Sequence, residues 1–250
     1  MDQSGTYIYG VVPEDIEIDE KAQGVADAPV LSIKHGKIAA LVSDIGMTRP
    51  LGTPQDLRAH EQLLNATAAE VPVLPIRFGA VLADRDAVIE EFLAPFHDEF
   101  VAALSELDGR AQYVIKGRFV EDRVLGEILA ENPEAAQLRD DIRALPEDAS
   151  RDHRIRLGEI INQSIEAKRD ADTAAMWDEV EPVSVMAAVR PPSHELDAVH
   201  LAVLVENSRQ HELEQAVESL GRKWADQVEL RLMGPMAPYD FIVSQDQDAE

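Results

Sequence analysis

The 250-residue chain contains no cysteine. Disulfides, thiolate nucleophiles, zinc held by sulfur and iron–sulfur clusters are excluded by that one absence. Aromatic residues are scarce at 5%, so the core has to come from Leu, Val, Ile and Ala, which pack well and bring no polar handle. Long apolar runs are missing as well: none approaches the roughly 18 residues that span a bilayer. The opening MDQSGTYIYG has neither a basic segment nor an apolar signal core, which predicts a cytoplasmic protein. Positive charge is in short supply, with 23 Lys and Arg against 48 Asp and Glu and a formal charge of -25. Phosphates and anionic membranes need a clustered basic surface, so nucleic acid and membrane are not expected partners. The acidity reads first as a solvated surface that keeps the chain dispersed, and second as steering toward a basic partner.

What is present is the composition of a folded protein, 45% hydrophobic and 28% charged. The length suits two domains of roughly 100 residues each. Residues 7–12 (YIYGVV) form a β-branched and aromatic run that ends at Pro13, and a strand is predicted there. Residues 30–34 and 37–43 flank His35-Gly36 and are predicted as an antiparallel hairpin. Thr53-Pro54 starts a helix to about Val71, with Thr53 as its N-cap and Asp56 near the positive end of its dipole. Residues 73–79 (VLPIRFG) follow as a short buried strand, and 84–107 as a helical stretch divided at Pro95.

The predicted boundary is at Leu107-Asp108-Gly109, so that 1–109 form an N-terminal α+β domain. Beyond it, strands are expected at 112–120, 183–189, 199–205 and 227–233, helices at 121–177 and 208–225, and helix breaks at Asn132-Pro133 and Leu145-Pro146. Strand, helices, strand, strand, helix, strand is the ferredoxin-like βαββαβ order, here spanning 110–233 with extra helices inserted at about 121–180. Residues 234–250 are a C-terminal tail, with a polar, acidic and frayed end at 245–250. The fold class is therefore α+β.

Motifs for catalysis are absent. No phosphate loop, dinucleotide fingerprint, HExxH or GxSxG elbow occurs, and no two histidines stand at i,i+4. No cofactor, metal site or catalytic residue is assigned, and the chain is not expected to be an enzyme. The strongest polar constellation surrounds the one cation in the VLPIRFG segment. On the helix from Pro54, residues Leu57, His60, Leu64, Ala68 and Val71 share a face with Glu61 at its border. Arg77 is accordingly expected to pair with Glu61, beside His60, in a partly buried cluster that pins helix to sheet. An unpaired guanidinium at a buried position would cost several kcal/mol, on the order of the penalty for breaking a buried ion pair.

Five ordered segments then point to a family. They are TYIYGVV with Tyr7, Tyr9 and Gly10; IAALVSDI; HEQLL followed by VPVLPIRFGAVL with Pro75, Phe78 and Gly79; YVIKGRF; and LMGPMAPYDFIV with Gly234, Pro235, Pro238, Tyr239 and Phe241. In order and spacing the chain resembles the gas vesicle protein F/L family (GvpF/GvpL), accessory proteins of buoyant gas-filled protein shells. The resemblance implies two α+β domains, the second a modified ferredoxin-like fold, and a C-terminal tail that returns to the first. It also implies a role in assembly at the gas vesicle: binding the small hydrophobic shell protein and other accessory proteins during nucleation, with no catalysis. A small-molecule-binding regulator with a ferredoxin-like domain is the alternative. An enzyme using His60, Glu61 and Arg77 would require those groups to open into a cleft.

Overall fold

The structure, a computed structural model, describes residues 4–19, 21–46 and 50–242. The expected fraying at 245–250 lies outside the described residues. Helices combine with antiparallel sheets, an α+β fold. The chain divides into two compact units, one of residues 1–113, 206–208 and 234–250, the other of 114–205 and 209–233. The division therefore falls inside a strand on both sides.

In the first unit, β1 (Ser4–Pro13) is the central strand, buried from Gly5 to Val12. Its continuous β-branched and aromatic sequence is what burial on both faces selects. β3 (Ile38–Gly46) pairs along its whole length, and β2 (Leu31–His35) joins β3 through the predicted turn at Gly36. The other edge of β1 is shared by two short strands. β4 (Leu74–Pro75) sits opposite Gly10 and Val11, and β5 (Val81–Leu82) opposite Thr6 and Tyr7.

VLPIRFG is thus not one strand, as its composition suggests, but a stub and the start of an excursion. Pro72 and Pro75 carry no N–H, which limits the ladder they can extend. The Ile76 N–H still reaches the Tyr9 carbonyl at 2.8 Å, and the Ile8 N–H reaches the Ala80 carbonyl at 3.0 Å. Between those two bonds residues 77–79 leave the sheet.

Helix α1 (Pro54–Ala68) begins as its sequence indicates. The Thr53 hydroxyl accepts from the Asp56 N–H at 3.2 Å, and the Asp56 carboxylate accepts from the Thr53 N–H at 3.1 Å, a reciprocal capping box with Pro54 in the first turn. The buried face differs from the predicted one. Asp56, His60 and Leu64 point inward, whereas Leu57 is 48% exposed. The carboxylate of Asp56 decides the rotation, because it turns in to accept the Ala26 N–H at 3.3 Å from a 3-10 turn (Val25–Asp27).

Beyond β5, α2 (Arg85–Ala87) runs into a π-helical turn (Val88–Leu93), and α3 (His97–Leu107) restarts after Pro95. The unit closes with residues from the far end of the chain. Ala237 is fully buried and gives its N–H to Asn65 Oδ1 at 3.0 Å, while Gln112 exchanges hydrogen bonds with Asp240 at 2.6 and 3.1 Å. Gly234 is required there: at φ 135° a Cβ would lie 2.7 Å from the Tyr113 ring and 2.8 Å from the Gln112 carbonyl.

The second unit holds a four-stranded sheet in the order β7 (Ser184–Val189), β8 (Asp197–Glu206), β6 (Arg110–Phe119), β9 (Val228–Met236). Four helices accompany it: α4 (Glu121–Glu131), α5 (Pro133–Ala144), α6 (Arg151–Val180) and α7 (Gln210–Lys223). The breaks come at Asn132-Pro133 and at Leu145-Pro146, where proline cannot continue a helix. Phe119, Val124, Ile128, Ile165, Ala198 and Val228 form a core shared by sheet and helices.

The close approach of β1 to its neighbour gives a test. A Cβ on Gly10 would meet the Leu74 carbonyl oxygen at 2.7 Å and Leu64 Cδ2 at 3.0 Å. Gly10→Ala is expected to lower the unfolding free energy by about 1–3 kcal/mol, read from urea denaturation curves.

Candidate functional site

Of the residues singled out in the sequence, Tyr7, Tyr9, Phe78, Gly79 and Tyr239 gather around the buried ring of His60, whereas Glu61 and Arg77 do not. His60 projects from the inward face of α1 and is 3% exposed. Its Nδ1 lies 2.8 Å from the Tyr7 hydroxyl, and its Nε2 lies 3.1 Å from the Ile76 carbonyl and 2.9 Å from the Tyr239 hydroxyl. A carbonyl only accepts, so the ring proton is assigned to Nε2, and Nδ1 receives the Tyr7 O–H. The Tyr7 oxygen in turn accepts the Gly79 N–H at 3.2 Å. Every polar atom of the imidazole is engaged.

Aromatic rings enclose these bonds. Tyr7, Tyr9 and Phe78 have their centroids 5.5 to 5.7 Å from that of His60, with Tyr7 and Phe78 meeting it edge to face. A second chain of bonds extends from Tyr9. Its hydroxyl donates to Ser43 Oγ at 2.9 Å and accepts the Val25 N–H at 2.7 Å, and the Ser43 hydroxyl donates to the Pro29 carbonyl at 2.9 Å.

Electrostatics follow from burial. Desolvation holds the His60 imidazole below its ordinary value of 6.5, so the ring is neutral near pH 7. The Tyr7 and Tyr9 hydroxyls are pushed up, chiefly by burial, and stay protonated. Tyr239 is raised to about 12, by burial and then by the nearby charge of Glu61. Such a group of neutral donors and acceptors, with both ring nitrogens of His60 engaged, fixes positions.

The expected partners of His60 are placed differently. Glu61 and Arg77 are both exposed, and no ion pair joins them among the described residues. Arg77 belongs to the 77–79 excursion and escapes the core without needing a counter-ion, while Glu61 lies one step around the helix from the buried stripe. The cation that looked out of place in an apolar segment is solvated. What pins helix to sheet is the tyrosine–histidine network, which takes His60 from the expected trio and adds Tyr7, Gly79 and Tyr239.

Of the remaining motif positions, Pro75 and Pro238 are buried, Phe241 is half-buried, and Pro235 is exposed. No group of three or more His, Asp or Glu among the described residues is placed to hold a metal ion.

A family profile described as "Gas vesicle synthesis protein GvpL/GvpF" matches residues 5–243. The chain belongs to the GvpL/GvpF family. Gas vesicle protein F of Streptomyces sp. (strain CB03234) is 30% identical over 242 residues, covering 95% of this chain and 99% of the relative. Gas vesicle protein L of the same strain is 28% identical, covering 97% and 94%. Two crystal structures share the fold. The gas vesicle protein GvpF from Anabaena sp. PCC7120 aligns with a TM-score of 0.76 at 24% identity over 94% of this chain and 97% of that one. The GvpF from Microcystis aeruginosa gives 0.76 at 24% over 95% and 98%.

In this GvpL/GvpF chain the sequence showed that His60 faces inward, but not its partners. Tyr239 lies 179 residues away, and Ser43 34 residues from Tyr9. A Tyr-x-Tyr strand with no other use for its hydroxyls was the available signal, and it was not read.

Two expectations follow. The unfolded chain binds a proton at His60 more readily than the folded one, so stability is full above about pH 6.5 and falls as pH drops from there toward the folded pKa. His60→Gln should flatten that part of the stability–pH curve in denaturant titrations. Arg77→Met, at an exposed site without an ion pair, should change unfolding free energy by no more than about 0.5 kcal/mol in the same assay.

Proposed function

We propose that this protein assists assembly of the gas vesicle shell, binding the hydrophobic shell protein and other accessory proteins while the shell nucleates, and acts by adhesion and not by turnover. The observation that carries this is the use to which the family's residues are put. Tyr7, Phe78, Gly79 and Tyr239 close around a neutral, doubly bonded His60 and build a scaffold, leaving the work to surfaces.

Two features support the reading. The formal charge of -25 keeps a complex with an apolar client dispersed. The second unit, with strand order β7-β8-β6-β9, is read as a ferredoxin-like domain in which α4, α5 and α6 occupy the first crossover, and its outer strands offer backbone edges to a partner. No helix among the described residues is long and apolar enough to cross a membrane. The site of action is the gas vesicle, reached from the cytoplasm.

Co-expression with the shell protein tests this. The soluble fraction of shell protein after centrifugation should rise severalfold over expression alone, and an unchanged fraction would remove the assembly role.

A further inference from the structure

Three carboxylates and one ammonium meet where two of the inserted helices pack on one another. Glu127 and Glu131 come from α4, and Lys168 and Asp172 from successive turns of α6. Lys168 Nζ lies 3.3 Å from Glu127 and 3.1 Å from Glu131, so the ammonium is bound to the two glutamates. Asp172 is left over. It is half-buried, and among the described residues none donates a hydrogen bond to its carboxylate.

Asp172 faces a cavity of about 110 Å³ whose other charged walls are Glu127 and Lys168. The remaining walls are neutral: Phe119 of β6, Val124 of α4, Trp224 and Gln227 after α7, and Val228 of β9. The basic residues next along those elements are engaged elsewhere, Lys223 with Glu179 at 3.3 Å and Arg118 beside Asp197 at 3.9 Å. Loss of water among these largely apolar walls is the main force against a charge on Asp172. Lys168 attracts that charge and Glu127 repels it, and the balance raises the carboxyl to about 6.

We propose that the junction of α4 and α6 is a proton-operated clamp: uptake of one proton by Asp172 removes one of the cluster's two surplus negative charges and tightens the inserted helices, and its release loosens them. The device stands independently of the assembly role. The folded chain keeps this proton to higher pH than the unfolded chain, where the carboxyl titrates near 3.8. The second unit therefore gains stability as pH falls through about 6 toward 3.8, and loses it as pH rises through about 6. His60 acts in the opposite sense in the first unit, where a proton is bound more readily by the unfolded chain. Mild acid thus stiffens the inserted helices while it weakens the sheet around His60.

Carbon-13 NMR of the side-chain carboxyls in the full chain reads the proton directly, with the Asp172 signal assigned by its absence in Asp172→Asn. A midpoint of about 6 is expected. A midpoint at or below about 4.5, within the ordinary aspartate range, overturns the proposal. Glu127→Gln removes a repelling charge and leaves Lys168 freer, so it should lower that midpoint; an unmoved midpoint overturns the shared cluster. Hydrogen exchange, corrected for the intrinsic pH dependence of amide exchange, reads the clamp. Amides of 165–176 should exchange about fourfold more slowly at about pH 5.5 than at about pH 7.5, the factor one proton with that midpoint supplies. Asp172→Asn should show the slow rate at both pH values, and amides of α1 should move the other way. A wild type whose α6 is indifferent to pH, an α6 that speeds up with α1, or a pH response retained in Asp172→Asn each overturns the clamp.

Discussion

A neutral imidazole bonded at both nitrogens is the constraint around which the first unit is arranged. Left without partners at its depth, the ring would lose about 1–3 kcal/mol for each unsatisfied polar atom. Its partners come from separate segments: Tyr7 from the central strand, the Ile76 carbonyl from the edge of the split ladder, and Tyr239 from the last described turn. The 77–79 excursion then has a purpose within the fold, because it delivers the Gly79 N–H to Tyr7 and the Phe78 ring to His60. Tyr7, Phe78, Gly79 and Tyr239, scattered along the chain, are components of one joint around His60.

The second unit handles charge by other means. Asp197 is fully buried at the start of β8 and accepts from the Ser193 N–H and hydroxyl and the His194 N–H at 2.7 to 2.9 Å. Burial pushes its carboxyl up, but those bonds and the charge of Lys116 outweigh it and leave the pKa below the usual range. The carboxylate fixes the loop that carries Pro191 and Pro192 beside β7. Near the junction of α4 and α6, Lys168 lies 3.3 and 3.1 Å from Glu127 and Glu131, and burial raises Asp172 to about 6. Acid in excess is tolerated because most of it faces water, where repulsion is screened over roughly 8 Å at physiological salt.

Periodicity and punctuation made most of the architecture legible. Proline at 95, 133 and 146 marked helix breaks, and Thr53-Pro54 with Asp56 marked a helix start, because those signals are local and steric. The inward orientation of His60 was legible for the same reason. The rotation of α1 was not, since hydropathy favours burying Leu57 over Asp56 and cannot register a carboxylate held by Thr53 and Ala26. Arg77 misled because a run of apolar residues does not reveal that two prolines cut its strand short. Partners of His60 and Tyr9 lay beyond any local pattern, for hydrogen bonds across a fold leave no spacing in the chain.

The contacts of Ala237 with Asn65 and of Tyr239 with His60, 172 and 179 residues apart, bear on how the polypeptide is made. During vectorial synthesis the ribosome releases the amino-terminal sheet long before the segment that seals it, so the first-made unit is the last to be finished. Until then Leu64 and the aromatic ring around His60 lack their cover. A nascent chain therefore carries an unsealed hydrophobic seam until Ala237 and Tyr239 emerge, and the late arrival of these two residues sets the moment at which the amino-terminal sheet is covered.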